Sequence, residues 1–127
     1  MDILLVDDNE DFLNLVKEVL NENGYAVFTA GDGVEGCNVL ASSDIDLIIS
    51  DIRMPRLDGI KLHAFARATD RYKTTKFVFI SGAKEAYEDV VKLNPKVDYF
   101  LDKRITLDDL VKFVDTLIFG RYEEAWI

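Results

Sequence analysis

Asp7 and Asp8 follow directly on the apolar run Ile3-Leu4-Leu5-Val6, and Asp51 follows Leu47-Ile48-Ile49-Ser50. Ser81 closes a third run, Phe77-Val78-Phe79-Ile80, and Lys103 follows a fourth, Tyr99-Phe100-Leu101-Asp102. Carboxylates confined together repel and raise one another's pKa until a cation joins them. Mg²⁺ is suited to that place: it takes one or two carboxylates, keeps several waters and completes its shell with phosphate oxygens. On this chemistry Asp8 and Asp51 are the direct ligands, and Asp7 binds directly or through water. Asp51 is also placed as a nucleophile, because an aspartate can take a phosphoryl group as an acyl phosphate. Lys103 can neutralise a phosphoryl oxygen as a compact charge, and the Ser81 hydroxyl can donate to another. The bland alternative for Asp7 or Asp8 is a helix N-cap, a position that Asp fills well.

These groups meet only if the strands that carry them end at one edge. Five apolar segments read as strands, at 2–7, 25–30, 46–51, 76–81 and 97–101. Unbroken apolar cores such as Ile3–Val6 and Phe77–Ile80 predict burial on both faces, as in a parallel sheet covered by helices. Helical patterns alternate with them. The first spans 9–23, with Phe12, Leu13, Val16, Val19 and Leu20 at helical spacing and Gly24 as its stop. A second starts at Asp32 with Glu35 three residues on, a carboxylate version of the capping box. A third follows Asp58-Gly59, and a fourth runs from about 84 to 94, before Pro95. The fifth starts at Thr106 and stops at Gly120, with Leu107, Leu110, Val111, Val114, Leu117 and Ile118 on one face. Strict alternation predicts a three-layer α/β sandwich with right-handed crossovers, five parallel strands and five helices. The flavodoxin-like strand order 2-1-3-4-5 fits, and its crevice lies beyond the ends of the first and third strands. Asp7, Asp8 and Asp51 fall there.

Composition narrows the function. The 127 residues suffice for one domain with a sizeable core, and 49% apolar with 31% charged residues is a globular balance. A formal net charge of −9 argues against nucleic acid or an anionic membrane as the main partner. The basic residues between Arg67 and Lys76, interrupted by Asp70, read as a solvated loop. The single cysteine, Cys37, has no internal disulfide partner and reads as a core filler. No apolar run approaches the roughly 20 residues of a membrane span. The chain enters a strand at once, without a signal-peptide pattern, so the expected location is cytoplasmic.

Taken together, these stretches closely resemble the receiver domain of bacterial response regulators, the phosphoaccepting half of two-component signalling. The resemblance rests on Ile3-Leu4-Leu5-Val6-Asp7-Asp8, on Ser50-Asp51-Ile52-Arg53-Met54-Pro55 with Leu57-Asp58-Gly59, on Phe79-Ile80-Ser81-Gly82, and on Tyr99-Phe100-Leu101-Asp102-Lys103. It covers residues 2–119, so residues 1–120 form the expected domain and 121–127 a tail. That family shares the flavodoxin-like strand order, so the order adds no independent support. The resemblance implies that Asp51 accepts a phosphoryl group from a phosphohistidine of a sensor histidine kinase or a histidine phosphotransfer protein. It implies Mg²⁺, or alternatively Mn²⁺, held by Asp7, Asp8, Asp51 and the Arg53 backbone carbonyl. Ser81 and Lys103 then contact the phosphoryl group, and Phe100 is the aromatic switch that follows Ser81 inward. The implied output is the surface of the fourth helix, fifth strand and fifth helix, which would bind a downstream protein or a second copy. Such a domain catalyses its own phosphorylation and slow hydrolysis but turns over no external substrate.

One departure stands out: Arg104 follows Lys103 where the family usually has proline. A non-proline cis bond costs roughly 3–4 kcal/mol, so this bond should be trans. Arg53 and Arg56 flank Met54-Pro55 in the loop beyond Asp51, and Arg53 either reaches the phosphoryl group or forms a surface salt bridge. His63 reads as a surface or half-buried side chain away from the edge, and Trp126-Ile127 as tail residues that pack on the domain, join an interface or mark where a longer parent protein was cut. A haloacid-dehalogenase-type phosphatase would need an acid two residues after Asp51, where Arg53 stands and cannot donate a proton. A flavodoxin-like nucleotide carrier is disfavoured by the acidic Asp7-Asp8-Asn9-Glu10 loop, and no P-loop occurs. The remaining alternative is a degenerate receiver that acts as a phosphorylation-independent interaction module.

Overall fold

The computed structural model describes residues 1–82 and 94–120. Five strands form one parallel sheet: β1 (Asp2–Val6), β2 (Ala26–Ala30), β3 (Leu47–Ser50), β4 (Lys76–Ser81) and β5 (Asp98–Asp102), in the order β2-β1-β3-β4-β5. The register sets Val6 beside Ser50 and Ala30, and Ser81 beside Asp102. All carboxyl ends therefore share one edge.

The sheet separates two apolar clusters, which explains why the central strands β1, β3 and β4 read as unbroken apolar runs, whereas the edge strand β2 is largely exposed and β5 half-buried, against the expectation of burial on both faces. Ile3, Leu5, Leu47, Ile49, Val78 and Ile80 face one side, against α1 (Glu10–Glu22) and the C-terminal helix Leu107–Phe119. Leu4, Val6, Ile48, Phe77 and Phe79 face the other, against α2 (Gly33–Ser42) and α3 (Gly59–Ala68). Each such side chain, fully removed from water, contributes about 1.5–3 kcal/mol before entropic costs. The described residues thus hold four α-helices in two layers around the sheet. The expected fourth helix, at about 84–94, falls almost entirely outside the described residues, so the count of five stands at four here.

Capping explains most helix boundaries. Asn9, not Asp7 or Asp8, caps α1, its side chain accepting from the Phe12 amide at 3.1 Å. Asp32 caps α2 through the Glu35 amide at 2.9 Å, while the Glu35 carboxylate reaches back to the Gly31 amide at 2.5 Å. Thr106 starts the C-terminal helix, and Gly120, at φ 66°, ends it.

The segment from Arg67 to Lys76 corrects the solvated-loop expectation. Arg67 lies in the last turn of α3, and a 3-10 turn follows over Asp70–Tyr72. Tyr72 is buried, with its hydroxyl donating to the carbonyls of Leu40 and Ser43 at 2.7 and 2.5 Å. Lys76 opens β4 and its ammonium donates to the Leu117 carbonyl, near the end of the C-terminal helix. Arg67 and Lys76 turn their charges onto acceptors within the fold, the Asp98 carboxylate and the Leu117 carbonyl, so a basic composition hid a packed segment.

Candidate functional site

Two strand ends and two turns build the site. The Asp7 amide donates to the Ala30 carbonyl at 3.1 Å and the Asp51 amide to the Val6 carbonyl at 2.9 Å, which extends the ladder to both aspartates. One oxygen each of Asp7, Asp8 and Asp51 lies within 4.8 Å of the other two. Asp7 is fully buried, Asp51 nearly so, and Asp8 is exposed. Asp7 Oδ1 accepts from the Asn9 amide at 2.8 Å, and Asp51 Oδ1 from the Ile52 amide at 2.7 Å. A cleft lined by Asp8, Arg53, Met54, Pro55 and Asp58 opens beside them.

Lys103 bridges the cluster from β5. Its ammonium lies 2.7 Å from Asp7 Oδ2 and 3.4 Å from Asp51 Oδ2, and 4.6 Å from the centre of the Phe12 ring. Burial works against the lysine's charge, but the two carboxylates outweigh it and hold the pKa above its ordinary value. Asp51 is pushed up, first by burial and then by the Asp7 charge, with Lys103 and the Ile52 amide opposing. Among the described residues this set gathers three carboxylates, two of them paired with the single Lys103 ammonium, so it is short of positive charge. Oxygen donors, an anionic excess and an open side suit a hard divalent cation with free coordination positions. Asp7, Asp8 and Asp51 are the residues able to hold it.

The loop after Asp51 depends on two close approaches. The Gly59 amide donates to the Ile52 carbonyl at 2.8 Å, and a Cβ on Gly59 would stand 2.1 Å from the Asp51 carbonyl oxygen. A Cβ on Gly33 would stand 2.3 Å from the Leu57 carbonyl oxygen. Between these points Arg56 adopts φ 66°, and the Leu57 amide donates to the Pro55 carbonyl at 2.8 Å, closing a three-residue turn. The Arg56 guanidinium secures that conformation on Asp32, with contacts of 2.7 and 2.5 Å. Arg56 therefore forms a salt bridge that ties the loop to the cap of α2. Arg53 is exposed and forms no ion pair among the described residues.

Ser81 is buried at the end of β4, and its carbonyl accepts from the Lys103 amide at 3.0 Å. Phe100 is half-buried, 5.9 Å from the Phe79 ring. The Lys103–Arg104 bond is trans, as the missing proline predicts. The turn is shaped instead by Asp102, whose Oδ1 accepts from the Arg104 amide at 2.8 Å and from its Nε at 2.9 Å, while its carbonyl accepts from Ile105 at 3.0 Å.

A second charged cluster carried no signal in the sequence. Asp98, at the start of β5, accepts from Arg67 at 2.5 Å and from the Asn94 amide at 2.8 Å, with His63 Nε2 at 2.9 Å. His63 also packs on the Phe77 and Phe79 rings at 4.9 and 5.2 Å. Its half-buried place away from the edge agrees with the sequence reading, but His63 and Arg67 lie 35 and 31 residues from Asp98 and no motif links them. Cys37 is half-buried against the same apolar layer, consistent with packing.

The profile of the response regulator receiver domain matches residues 3–115. Response regulator MprA of Mycobacterium avium (strain 104) is 31% identical over 118 residues, covering 93% of this chain and 51% of that protein. Sensor histidine kinase RcsC of Salmonella typhi is 36% identical over 110 residues, covering 87% of this chain and 11% of that one. This chain therefore spans about half of the first of these relatives and about a tenth of the second. Among solved structures, the Thermotoga maritima response regulator TrrA in complex with Mg²⁺ and BeF superposes with a TM-score of 0.80 and 30% identity, covering 91% of this chain and 97% of that chain.

Proposed function

The chain belongs to the response regulator receiver domain family, and from that premise we propose that it takes a phosphoryl group from a histidine kinase or histidine phosphotransfer protein onto Asp51. The observation that supports this most is the gathering of Asp7, Asp8 and Asp51 within 4.8 Å at the carboxyl edge, with Lys103 bridging Asp7 and Asp51. Asp51 Oδ2 attacks the phosphorus, the bond from phosphorus to the donor imidazole breaks, and its electron pair returns to that ring. Asp51 Oδ1 stays fixed by the Ile52 amide, which leaves the other oxygen to react. Lys103 is 3.4 Å from that reacting oxygen and is placed to neutralise charge on the phosphoryl group.

Mg²⁺ or Mn²⁺, bound by Asp7, Asp8, Asp51 and the Arg53 carbonyl, would supply neutralisation of the phosphoryl oxygens. Ser81 supplies a hydroxyl from β4, and its inward movement clears space for Phe100. That rearrangement alters the surface around β5 and the C-terminal helix, and a downstream protein or a second copy reads it. Hydrolysis of the acyl phosphate at the same site resets the domain, so the chain acts as a signalling module with no external turnover. No described helix is long and apolar enough to cross a membrane, and a cytoplasmic place fits a kinase partner.

Intact mass after incubation with acetyl phosphate tests the reading. One phosphoryl adduct is expected on the wild type with Mg²⁺, and none on Asp51→Asn or without the metal. A wild type that stays unmodified would favour the phosphorylation-independent module instead.

A further inference from the structure

We propose that Phe12 is a positioning residue for Lys103, keeping its ammonium beside Asp51 when the carboxylates turn to a metal ion. The inference deepens the acceptor reading and rests on it. Among the described residues, three groups surround the ammonium: Asp7 Oδ2 at 2.7 Å, Asp51 Oδ2 at 3.4 Å and the Phe12 ring centre at 4.6 Å. The two carboxylates are also the candidate metal ligands. A divalent cation on them competes with Lys103 for the same electron pairs and repels the ammonium.

The ring does not enter that competition. Its face attracts a cation through the aromatic quadrupole and carries no formal charge. It can therefore retain the ammonium without neutralising Asp7 or repelling a phosphoryl dianion. The ring's own place is fixed from the same edge: the Phe12 amide donates to Asn9, whose amide donates to Asp7. Its flank packs on the layer that holds Leu13 and Val16. Lysine has a flexible four-carbon stem, so a turn that fixes its backbone still leaves its head unfixed. Here that turn is built by Asp102 and Arg104 without proline. The aromatic face restrains the part of Lys103 that the turn does not reach.

The simpler role for Phe12 is apolar packing, and the experiment separates the two. Phe12→Leu keeps apolar bulk without a ring, and Phe12→Tyr keeps the ring face. Initial phosphorylation rates are measured by intact mass with acetyl phosphate and Mg²⁺ on the full chain. Lys103 side-chain proton shifts are recorded by NMR on the metal-free protein. Phe12→Leu should slow phosphorylation by about two- to fivefold, the ratio expected of a partly exposed cation–π contact. The Lys103 protons should lose their upfield ring-current shift, and Phe12→Tyr should restore both readouts. If Phe12→Leu does not fold, Phe12→Met supplies the ring-free arm. A wild-type rate in the ring-free variant, an equal loss in Phe12→Tyr, or unchanged Lys103 shifts overturns this proposal alone. A wild type that takes up no phosphoryl group overturns the acceptor reading, and this proposal with it.

Discussion

Two clusters of charge sit on this sheet and are built to opposite rules. At the carboxyl edge, the described residues set three carboxylates against one ammonium, which pairs with Asp7 and Asp51, while Asp8 is exposed, and burial together with Asp7 pushes the Asp51 pKa up. At the entry to β5, one buried carboxylate has a guanidinium, an imidazole and a backbone amide to itself. Burial there would raise the Asp98 pKa, but the Asn94 amide, Arg67 and His63 outweigh it and hold it below the usual carboxylate range. A saturated cluster holds structure, whereas an anionic cluster left short of cations stores a demand for one. The contrast separates a structural ion pair from a site more reliably than burial does, because both clusters are largely buried.

Breaking the balanced cluster should have the largest effect. Asp98→Ala leaves Arg67 and His63 without their shared acceptor and should cost about 3–5 kcal/mol in urea unfolding, the range for breaking a buried pair. A cost below about 1 kcal/mol would reduce the cluster to a surface-grade contact. Gly59→Ala ranks next at about 1–3 kcal/mol, because its Cβ must displace the Asp51 carbonyl. It should also slow phosphorylation, which a purely global destabilisation would not do at a temperature where the variant stays folded.

The acid limb of the stability curve sharpens the comparison. The folded-state pKa of Asp98 is depressed, so its contribution is fully present above the ordinary carboxylate pKa of about 4 and is lost as pH falls through the folded value. Without divalent ions, the urea midpoint of the wild type should fall with acidification below about pH 4 more steeply than that of Asp98→Asn. Parallel curves would show that Asp98 is not held ionised by its partners. The smallest effect belongs to the unbalanced edge. Asp51→Asn removes one of three repelling charges and should stabilise the metal-free protein by a few tenths to about 1 kcal/mol. Destabilisation on that scale in a urea melt would mean that Lys103 needs Asp51 more than Asp7 resists it.

The edge was legible in the sequence because every one of its residues follows an apolar run, and strand ends in a parallel sheet converge by topology. Asp7, Asp8, Asp51, Ser81 and Lys103 could therefore be placed together before any coordinates. The helix starts were legible for a local reason, since Asp32, Asp58 and Thr106 bond to amides three residues on. Cap and ligand were harder to tell apart at Asp7-Asp8-Asn9, where three residues suit a cap and the chain uses the third. What could not be read were pairs fixed only by packing. Asp98 with Arg67, the Tyr25 hydroxyl on Asp115, and Phe12 under Lys103 join residues with no shared period or motif. Their partners are chosen by how α3, the C-terminal helix and α1 lie on the sheet.

The central claim, that the carboxyl edge binds a cation the rest of the fold does not need, is tested most directly by Mg²⁺-dependent melting of three proteins side by side. At ten times its Kd, Mg²⁺ should stabilise the wild type by about 1.4 kcal/mol, seen as a rise in Tm. Asp98→Asn should start lower and gain a similar increment, while Asp51→Asn should gain little. A wild-type Tm unmoved by Mg²⁺, or an equal rise in Asp51→Asn, would contradict the account.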